Sequence, residues 1–251
     1  MIKSVDRALT IITLVSKHKE GVGVTELASD LEINKSSIFR LLSTLVKHGF
    51  IEQNPETKKY RLGYKYLELG SMLLESIDFR TQAKPFLEEL NSHINEVIHL
   101  VVYDQGEVVY IEKIEGNETL RTHSRVGRRA PLHCTSVGKV ILAHLPSDEI
   151  LELIDKNGLP KHTEHTITDK DVLLQELKKI KDQGYGTEVE ENESDITCIA
   201  APIFDNRKKI TAAVSISGPS MRMSDERLTE IKPILIEIGK KISSRLGYID
   251  N

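Results

Sequence analysis

The segment from Val24 to Gly49 constrains the fold of this chain more than any other stretch of its sequence. Asn34 is suited to cap a helix and Gly49 to follow one, which predicts a helix from about Lys35 to His48. Its apolar residues recur with the helical period and share one face: Ile38, Leu41, Leu42, Leu45 and Val46. That face must pack inward against other elements.

The opposite face of this helix is polar and basic. No carboxylate occurs between Asn34 and His48, and a surface without acids suits the approach of DNA phosphates. Arginine can bind guanine through two hydrogen bonds, and lysine suits a phosphate. The residues predicted to contact DNA here are Lys35, Ser36, Ser37, Arg40, Ser43, Thr44 and Lys47. An ordinary surface helix with a solvated basic face has the same pattern, so the helix alone leaves both interpretations open.

The preceding elements favour DNA binding. A shorter helix is predicted from Thr25 to Leu31, with Thr25 as its N-cap and as a further candidate DNA contact. Upstream, a first amphipathic helix would support this pair through Val5, Ala8, Leu9, Ile12 and Val15.

The following elements complete the pattern. Strands are predicted at Phe50–Gln53 and Lys58–Leu62 around an Asn-Pro turn, which is a hairpin pattern. The returning strand carries three candidate DNA contacts: Lys58, Lys59 and Arg61. Three helices and a basic hairpin predict a winged helix-turn-helix domain over residues 1–63.

The charge of the chain is divided unevenly along its length. The net charge is −4, yet residues 1–65 hold 11 Lys and Arg against 7 Asp and Glu. The basic charge therefore lies at the N-terminal end, where DNA contact is predicted. The acidic remainder would oppose non-specific binding to DNA.

The two cysteines, Cys134 and Cys198, lie far apart and neither belongs to a CxxC motif. Reduced thiols in a cytoplasmic protein are the simplest interpretation. Metal binding by Cys198 with a histidine or an acid is an alternative that no ligand spacing supports, so no metal site or cofactor is predicted. No signal peptide and no apolar run of membrane-spanning length occurs, so no membrane association is expected.

Residues 64–81 lack a flexible linker composition, and their leucines predict a helix that connects two domains. A second domain is predicted over residues 82–251, where Pro85 opens a helix and strands begin at Val97. Further strands, including Thr119–Val126, alternate with helices. The order of hairpins and helices predicts an α+β domain, with an antiparallel sheet and helices on one side of it.

Short motifs along the whole chain resemble those of IclR-type transcriptional regulators. In order they are Ser4-Val-Asp-Arg-Ala-Leu9, Arg61-Leu-Gly63, Ser124-Arg-Val-Gly-Arg128, Pro131-Leu-His-Cys-Thr135, Gly138-Lys139, His165-Thr-Ile-Thr168, Glu190-Glu-Asn-Glu193, Cys198-Ile-Ala-Ala-Pro202, Ser215-Ile-Ser-Gly-Pro219 and Leu246-Gly-Tyr248. The resemblance implies an N-terminal winged helix, a helical linker and a C-terminal GAF-like effector domain. It also implies a homodimer or a dimer of dimers on double-stranded palindromic operator DNA, and a non-enzymatic regulator, typically a repressor of catabolic genes.

The resemblance further implies a small-molecule effector, which would be a carboxylic, sugar or aromatic acid. By position, its pocket falls on Ser136, Val137, Glu188, Cys198, Ser215 and Ser217. Hydroxyls and backbone N–H groups at the start of a helix suit a carboxylate. Two departures predict a different effector from those of the relatives resembled: Ser136-Val137 replaces smaller residues, and Glu188 stands where Asp is usual.

Several of these residues have other interpretations. Ser215 and Ser217 alternate on one strand face, where they would also suit a solvated edge. Cys198 is equally suited to a buried inert thiol. Cys134 lies near a helix start that could lower a thiol pKa, so an enzyme with an appended DNA-binding domain is the second function class. Arginines at four positions suit anion binding, or surface and dimer contacts: Arg121, Arg125, Arg128 and Arg129.

Overall fold

The computed structural model describes residues 2–76, 78–116 and 124–249. The chain divides into two compact units, residues 1–76 and residues 77–251. Within the described ranges, no helix has both the length and the apolar composition needed to cross a membrane.

The N-terminal unit contains three helices, a two-stranded hairpin and a fourth helix. In chain order they are α1 (Lys3–Lys17), α2 (Val24–Asp30), α3 (Lys35–Lys47), β1 (Ile51–Gln53), β2 (Tyr60–Leu62) and α4 (Lys65–Ser76). The strands pair antiparallel, with Ile51 opposite Leu62. The predicted winged helix-turn-helix is confirmed.

The core of this unit includes Ile38, Leu42 and Leu45 of the predicted apolar stripe of α3, whereas Val46 of that stripe is 38% exposed. Ile38 and Leu42 are fully buried together with Ile11 and Val15 of α1. Asn34 caps α3 as expected, since its side chain accepts a hydrogen bond of 2.9 Å from the backbone N–H of Ser37. The cap satisfies one of the four donors that a helix start leaves unpaired.

Thr25 is not the N-cap of α2, contrary to the sequence prediction. Val22 exchanges two backbone hydrogen bonds with Tyr60, of 2.8 and 2.9 Å, and this bridge fixes the chain just before the helix. The helix therefore begins at Val24 with Gly23 as its N-cap, and Thr25 lies exposed within the first turn.

The inward face of α1 also differs from the prediction. Ile11 and Val15 form the buried stripe, whereas Val5 and Leu9 are 53% and 59% exposed. At 100° per residue, Val5 lies about 120° away from Ile11, so the two cannot share a face. The helix has two apolar stripes, and only one of them enters the core.

The C-terminal unit surrounds one antiparallel sheet. Its elements are α5 (Asp78–Ile94), β3 (Val97–Asp104), β4 (Glu107–Ile114), β5 (Arg129–Ala130), α6 (Ser136–Ala143), α7 (Ser147–Asn157), α8 (Lys170–Gln183), β6 (Gly186–Val189), β7 (Ile196–Phe204), β8 (Ile210–Pro219) and α9 (Asp225–Arg245). The strand order is β5-β4-β3-β8-β7-β6, and every neighbouring pair is antiparallel. The predicted α+β class is confirmed.

Helices cover both faces of this sheet, not one as predicted. Successive residues of a strand point to opposite faces. In β7, Ile199 packs into the core beneath α5 and α9, while its neighbour Ala200 packs into the core beneath α6 and α8. Because both faces of the central strands are apolar, each needs its own layer of helices.

Three other sequence expectations concern the helix start at Pro85, the segment 64–81 and the strand Thr119–Val126. Pro85 does not open a helix, because α5 already begins at Asp78, and its early residues Phe79 and Ala83 pack into the core. The segment 64–81 holds α4 and the first residues of α5. The strand expected at Thr119–Val126 falls mainly on residues 117–123, and these lie outside the described residues, as does Arg121.

Candidate functional site

The first candidate site is the exposed face of α3. Arg40 and Lys47 are exposed on it, and so is Lys35 at its start. Ser36, Ser43 and Thr44 are also exposed, whereas Ser37 is half-buried. The structure therefore gathers the predicted DNA-contact residues of α3 on one surface of one helix.

Three hydroxyls on this surface already donate hydrogen bonds within the protein. Ser36 donates to the Asn34 side chain at 2.8 Å, and Ser43 donates to the Phe39 carbonyl at 2.8 Å. Thr44 donates to the Arg40 carbonyl at 3.1 Å. A hydroxyl so engaged keeps its lone pairs, so it is prepared to accept from the amino group of adenine or cytosine.

The hairpin adds a second basic surface. Lys58 and Lys59 are exposed at its tip, where Lys58 has a positive φ of 59°. Arg61 pairs with Glu52 on the opposite strand at 2.5 Å. Arg61 is thus held in place by an acid, which weakens its predicted role as a phosphate contact.

Sequence reasoning missed Phe39 on this surface. Its side chain is 56% exposed, between Arg40 and the buried stripe of α3. The signal was present in the sequence, because Phe39 lies outside the i, i+3, i+4 spacing of the apolar face. An exposed aromatic ring beside an arginine suits apolar contact with a base or sugar.

The second candidate site is a cavity of about 190 Å³ in the C-terminal unit. It lies on the face of the sheet that α6 covers. All six predicted effector-site residues line it: Ser136, Val137, Glu188, Cys198, Ser215 and Ser217. The remaining lining residues are His99, Tyr110, Ser124, Arg128, Arg129, Ala130, Pro131, Thr135, His162, Asn192, Glu193 and Ile196.

Strand register brings the polar side chains together. Glu188 lies opposite Cys198, and Cys198 lies opposite Ser217, so these three form one row across β6, β7 and β8. Ser215 lies opposite His99 of β3 in the neighbouring row. Directly paired residues of an antiparallel sheet point to the same face, so both rows face the cavity.

His99 is the hub of the hydrogen bonds in this cavity. Its Nε2 lies 2.8 Å from the Ser124 hydroxyl, and its Nδ1 lies 3.3 Å from Ser217 and 3.5 Å from Ser215. Burial, aided by the charge of Lys113, lowers the pKa of His99 to about 3. The imidazole is therefore neutral and can both donate and accept.

Glu188 is an enclosed carboxyl group. Its Oε1 accepts hydrogen bonds from the backbone N–H groups of Glu191, at 2.7 Å, and Asn192, at 3.2 Å. Burial outweighs these donors and raises the pKa of Glu188 to about 7. The cavity therefore contains a carboxyl group that changes charge near neutral pH.

Neither cysteine has the properties of an activated nucleophile. Burial raises the pKa of Cys134 to about 12, and Cys198 is shifted well upward for the same reason. The sequence had suggested that the start of α6 could lower the pKa of Cys134. That suggestion is wrong, because loss of solvation outweighs the helix dipole.

Positive charge reaches the cavity through Arg128. Its guanidinium group lies 3.7 Å from Glu193, and its side chain is partly exposed. Arg129 is engaged elsewhere, since it pairs with Asp104 and with Glu107. Of these two neighbours, Arg128 is the better placed to meet an anion in the cavity.

The start of α6 supplies further donors. Thr135 caps the helix, accepting from the Gly138 N–H at 3.1 Å and donating to the Pro131 carbonyl at 2.7 Å. Ser136 and Val137 form the first turn and line the cavity. The first N–H groups of a helix favour an anionic ligand.

The sequence did not reveal the roles of His99 and Tyr110, although both line the cavity and their rings contact edge to face with centroids 4.9 Å apart. One signal was available for His99, which is the single histidine in the otherwise apolar segment Val97–Val102. Tyr110 follows a similar apolar run and carried no distinguishing signal.

Comparisons with known proteins agree with this architecture. The family model described as the IclR helix-turn-helix domain matches residues 4–55, and that of the bacterial transcriptional regulator IclR C-terminal domain matches residues 71–244. The chain is 38% identical to the HTH-type transcriptional regulator XynR of Escherichia coli over 248 residues, covering 99% of this chain and 98% of the relative.

A second Escherichia coli regulator, KdgR, is also 38% identical, over 99% of this chain and 94% of its own length. The crystal structure of the Thermotoga maritima IclR matches with a TM-score of 0.80 and 34% identity, over 99% of this chain and 100% of that one. Both domains and nearly the whole length are thus accounted for. The chain belongs to the IclR family of ligand-responsive, DNA-binding transcriptional regulators.

Proposed function

We propose that this chain is a cytoplasmic repressor of catabolic genes that binds palindromic operator DNA as a homodimer or dimer of dimers. A small hydroxylated carboxylic acid, of the sugar-acid type, is its effector. The observation that carries the proposal is one cavity that joins Arg128 and the start of α6 to a row of hydroxyl, imidazole and carboxyl groups.

DNA recognition rests on α3 and the hairpin. The exposed surface of α3 contains Arg40 and no acid, and its N-terminus is capped by Asn34. A helix with such a surface can lie in the major groove while basic residues of a wing contact the backbone.

An operator selected from random DNA by the full-length chain would test this assignment. Arg40→Ala should weaken specific binding by about 1–3 kcal/mol and relax specificity at one base position, as expected for an arginine that reads guanine. Lys17→Ala, an exposed cation of α1, is the matched control. A uniform loss across all DNA sequences would instead assign Arg40 to a phosphate.

The effector is inferred from the chemistry of the cavity. A carboxylate can accept hydrogen bonds from Arg128 and from the first N–H groups of α6. The hydroxyls of such a ligand can exchange hydrogen bonds with His99, Ser215 and Ser217, and can donate to Glu188. A purely apolar ligand would make none of these hydrogen bonds and would exclude water from the polar side chains that line the cavity, which is unfavourable.

Thermal-shift measurements on the full-length chain with sugar acids, short carboxylic acids and aromatic acids would test this inference. Sugar acids should raise the melting temperature most, since a ligand that binds the folded state stabilises it by mass action. Ser217→Ala should reduce that rise, whereas Ser244→Ala, at an exposed serine of α9, should not. A larger rise with aromatic acids would contradict the proposed ligand class.

Self-association is supported by exposed apolar side chains on two helices of the N-terminal unit. Beside or within α1 they are Ile2, Val5 and Leu9, and beside or within α4 they are Tyr64, Leu67, Met72 and Leu73. A second copy of the chain would cover such a surface. Leu67→Asp should shift the mass measured by light scattering towards the monomer. An unchanged mass would remove α4 from the proposed interface.

The effector would control operator binding by changing the distance between the two recognition helices of a dimer. Operator half-sites are separated by whole helical turns, so a change in the distance between two recognition helices alters affinity. We infer that the effector favours one dimer arrangement and that the segment 64–81 transmits it. Operator affinity measured with and without the effector tests this, and an identical affinity would refute it.

We propose that the chain has no catalytic role. Its cavity thiol, Cys198, is shifted towards the protonated form, which is a poor nucleophile. Turnover of any bound acid, lost on Cys198→Ser, would contradict this part of the proposal.

A further inference from the structure

A cluster of nitrogen and sulfur ligands lies in the C-terminal unit beside the effector cavity. His133, Cys134 and His162 each place one ligand atom within 4.8 Å of the others. The first two precede α6 and the third lies between α7 and α8. We propose that these three side chains hold one Zn²⁺ ion.

The ligand set favours zinc. Two imidazole nitrogens and one thiolate match the borderline-soft character of Zn²⁺, while the harder Mg²⁺ and Ca²⁺ require oxygen ligands. Zn–N and Zn–S bonds of about 2.0 and 2.3 Å in a tetrahedron place ligand atoms about 3.5 Å apart. Since the three atoms lie within 4.8 Å of one another, they would need to approach by at most about 1.3 Å, and His162 is exposed on a loop.

The surroundings of His133 prepare it for coordination. Its Nε2 lies 3.0 Å from the Pro160 carbonyl oxygen. A carbonyl can only accept, so Nε2 carries the proton and Nδ1 keeps the lone pair that a metal needs. Histidine ligands in zinc sites typically donate their other ring N–H to a carbonyl or carboxylate in this way.

Cys134 also has a hydrogen-bond partner. Its Sγ lies 3.7 Å from the Asn192 side-chain oxygen, which accepts a hydrogen bond from the S–H group. On zinc binding the Zn–S bond forms, the S–H bond breaks and the proton passes to solvent. Three protein ligands leave a fourth position for water.

Sequence spacing could not reveal this site. His133 and Cys134 are adjacent, but His162 lies 28 residues later, without the short repeated intervals of a zinc motif. Only the fold of the loop between α7 and α8 brings the third ligand close. His162 also lines the effector cavity, so zinc would lie in one of its walls.

Titration of the chelator-stripped full-length chain with Zn²⁺ against a chromogenic competitor would test the proposal. We expect one Zn²⁺ per chain. In a parallel calorimetric titration, the binding enthalpy should vary with the buffer's ionisation enthalpy, because one proton is released. Substitution with Co²⁺ should produce the thiolate charge-transfer absorption and the visible bands of a tetrahedral site.

Two variants assign the ligands. His162→Ala alters an exposed side chain and should weaken Zn²⁺ binding at least tenfold, whereas His165→Ala, at an exposed histidine three residues away, should bind like the unaltered chain. Cys134→Ser should abolish the thiolate absorption of the Co²⁺ form. Absence of Zn²⁺ binding, unchanged binding by His162→Ala, or loss of the absorption on Cys198→Ser but not on Cys134→Ser would overturn the proposal.

Discussion

The enclosed carboxyl group of Glu188 makes the stability of this protein depend on pH in an unusual direction. Its folded-state pKa of about 7 exceeds its ordinary value of 4.5 because it is buried. Below pH 4.5 the group is protonated in both states. Between pH 4.5 and 7 the unfolded chain loses the proton while the folded chain keeps it, so stability falls as pH rises. Above pH 7 the loss is complete.

The magnitude follows from the two pKa values. At about 1.4 kcal/mol per pH unit, the full loss is about 3 kcal/mol, and most of it develops between pH 5 and pH 8. Glu188→Gln retains an oxygen that accepts from the backbone N–H groups of Glu191 and Asn192, but it cannot ionise. The variant should therefore gain about 2–3 kcal/mol relative to the unaltered chain between pH 5 and pH 8.

Urea unfolding of the full-length chain at pH 5 and pH 8, followed by circular dichroism, measures this difference. His99 acts in the opposite direction, since its low folded-state pKa reduces stability as pH falls below 6.5. It is present in both chains, so its contribution cancels in the comparison. Glu190→Gln makes the same chemical change two residues away and is the control. If Glu188→Gln follows the unaltered chain within about 1 kcal/mol at both pH values, the reasoning from burial is refuted.

Three further predictions concern stability. Lys139→Met should lower the free energy of unfolding, measured in urea, by about 3–5 kcal/mol. The fully buried ammonium lies 2.5 Å from Glu191, so its removal leaves a buried carboxylate unpaired, and a loss below about 1 kcal/mol would contradict this account. Gly138→Ala should lower the melting temperature of the C-terminal unit in calorimetry, since an added Cβ would lie 2.6 Å from the Leu132 backbone. An unchanged melting temperature would show that the backbone there can shift to make room. Asn34→Ala should cost about 1 kcal/mol by loss of the α3 cap, measured by thermal unfolding, and no change would mean that solvent replaces the cap.

Local pattern was enough to predict most of the elements, although not the starts of α2 and α5. The helix predicted from Lys35 to His48 is found at Lys35–Lys47, and the strand predicted at Thr197–Phe204 is found at Ile196–Phe204. Cap residues and apolar periods act within a few residues of each other, so they are legible in the sequence.

It was harder to predict which side chains meet in the cavity, because this depends on the register of the paired strands. His99 faces Ser215 only because β3 pairs with β8, an association of segments more than a hundred residues apart. The second helical layer had a signal in the consecutive apolar residues Ala212, Ala213 and Val214, since apolar neighbours on a strand are typical of burial on both faces. The six effector-site residues came from family resemblance and could not have been derived from spacing.

The hydrogen-bond network around His99 has a consequence for ligand discrimination. An imidazole can exchange tautomers and a hydroxyl can rotate, so His99, Ser215 and Ser217 can reverse their directions of donation together without any change of charge. A ligand that replaces a hydroxyl by a keto group would then meet a rearranged set of partners, not an unpaired one. Discrimination must rest on groups of fixed polarity, namely the guanidinium of Arg128 and the backbone N–H groups that begin α6, and on the shape of the wall they complete.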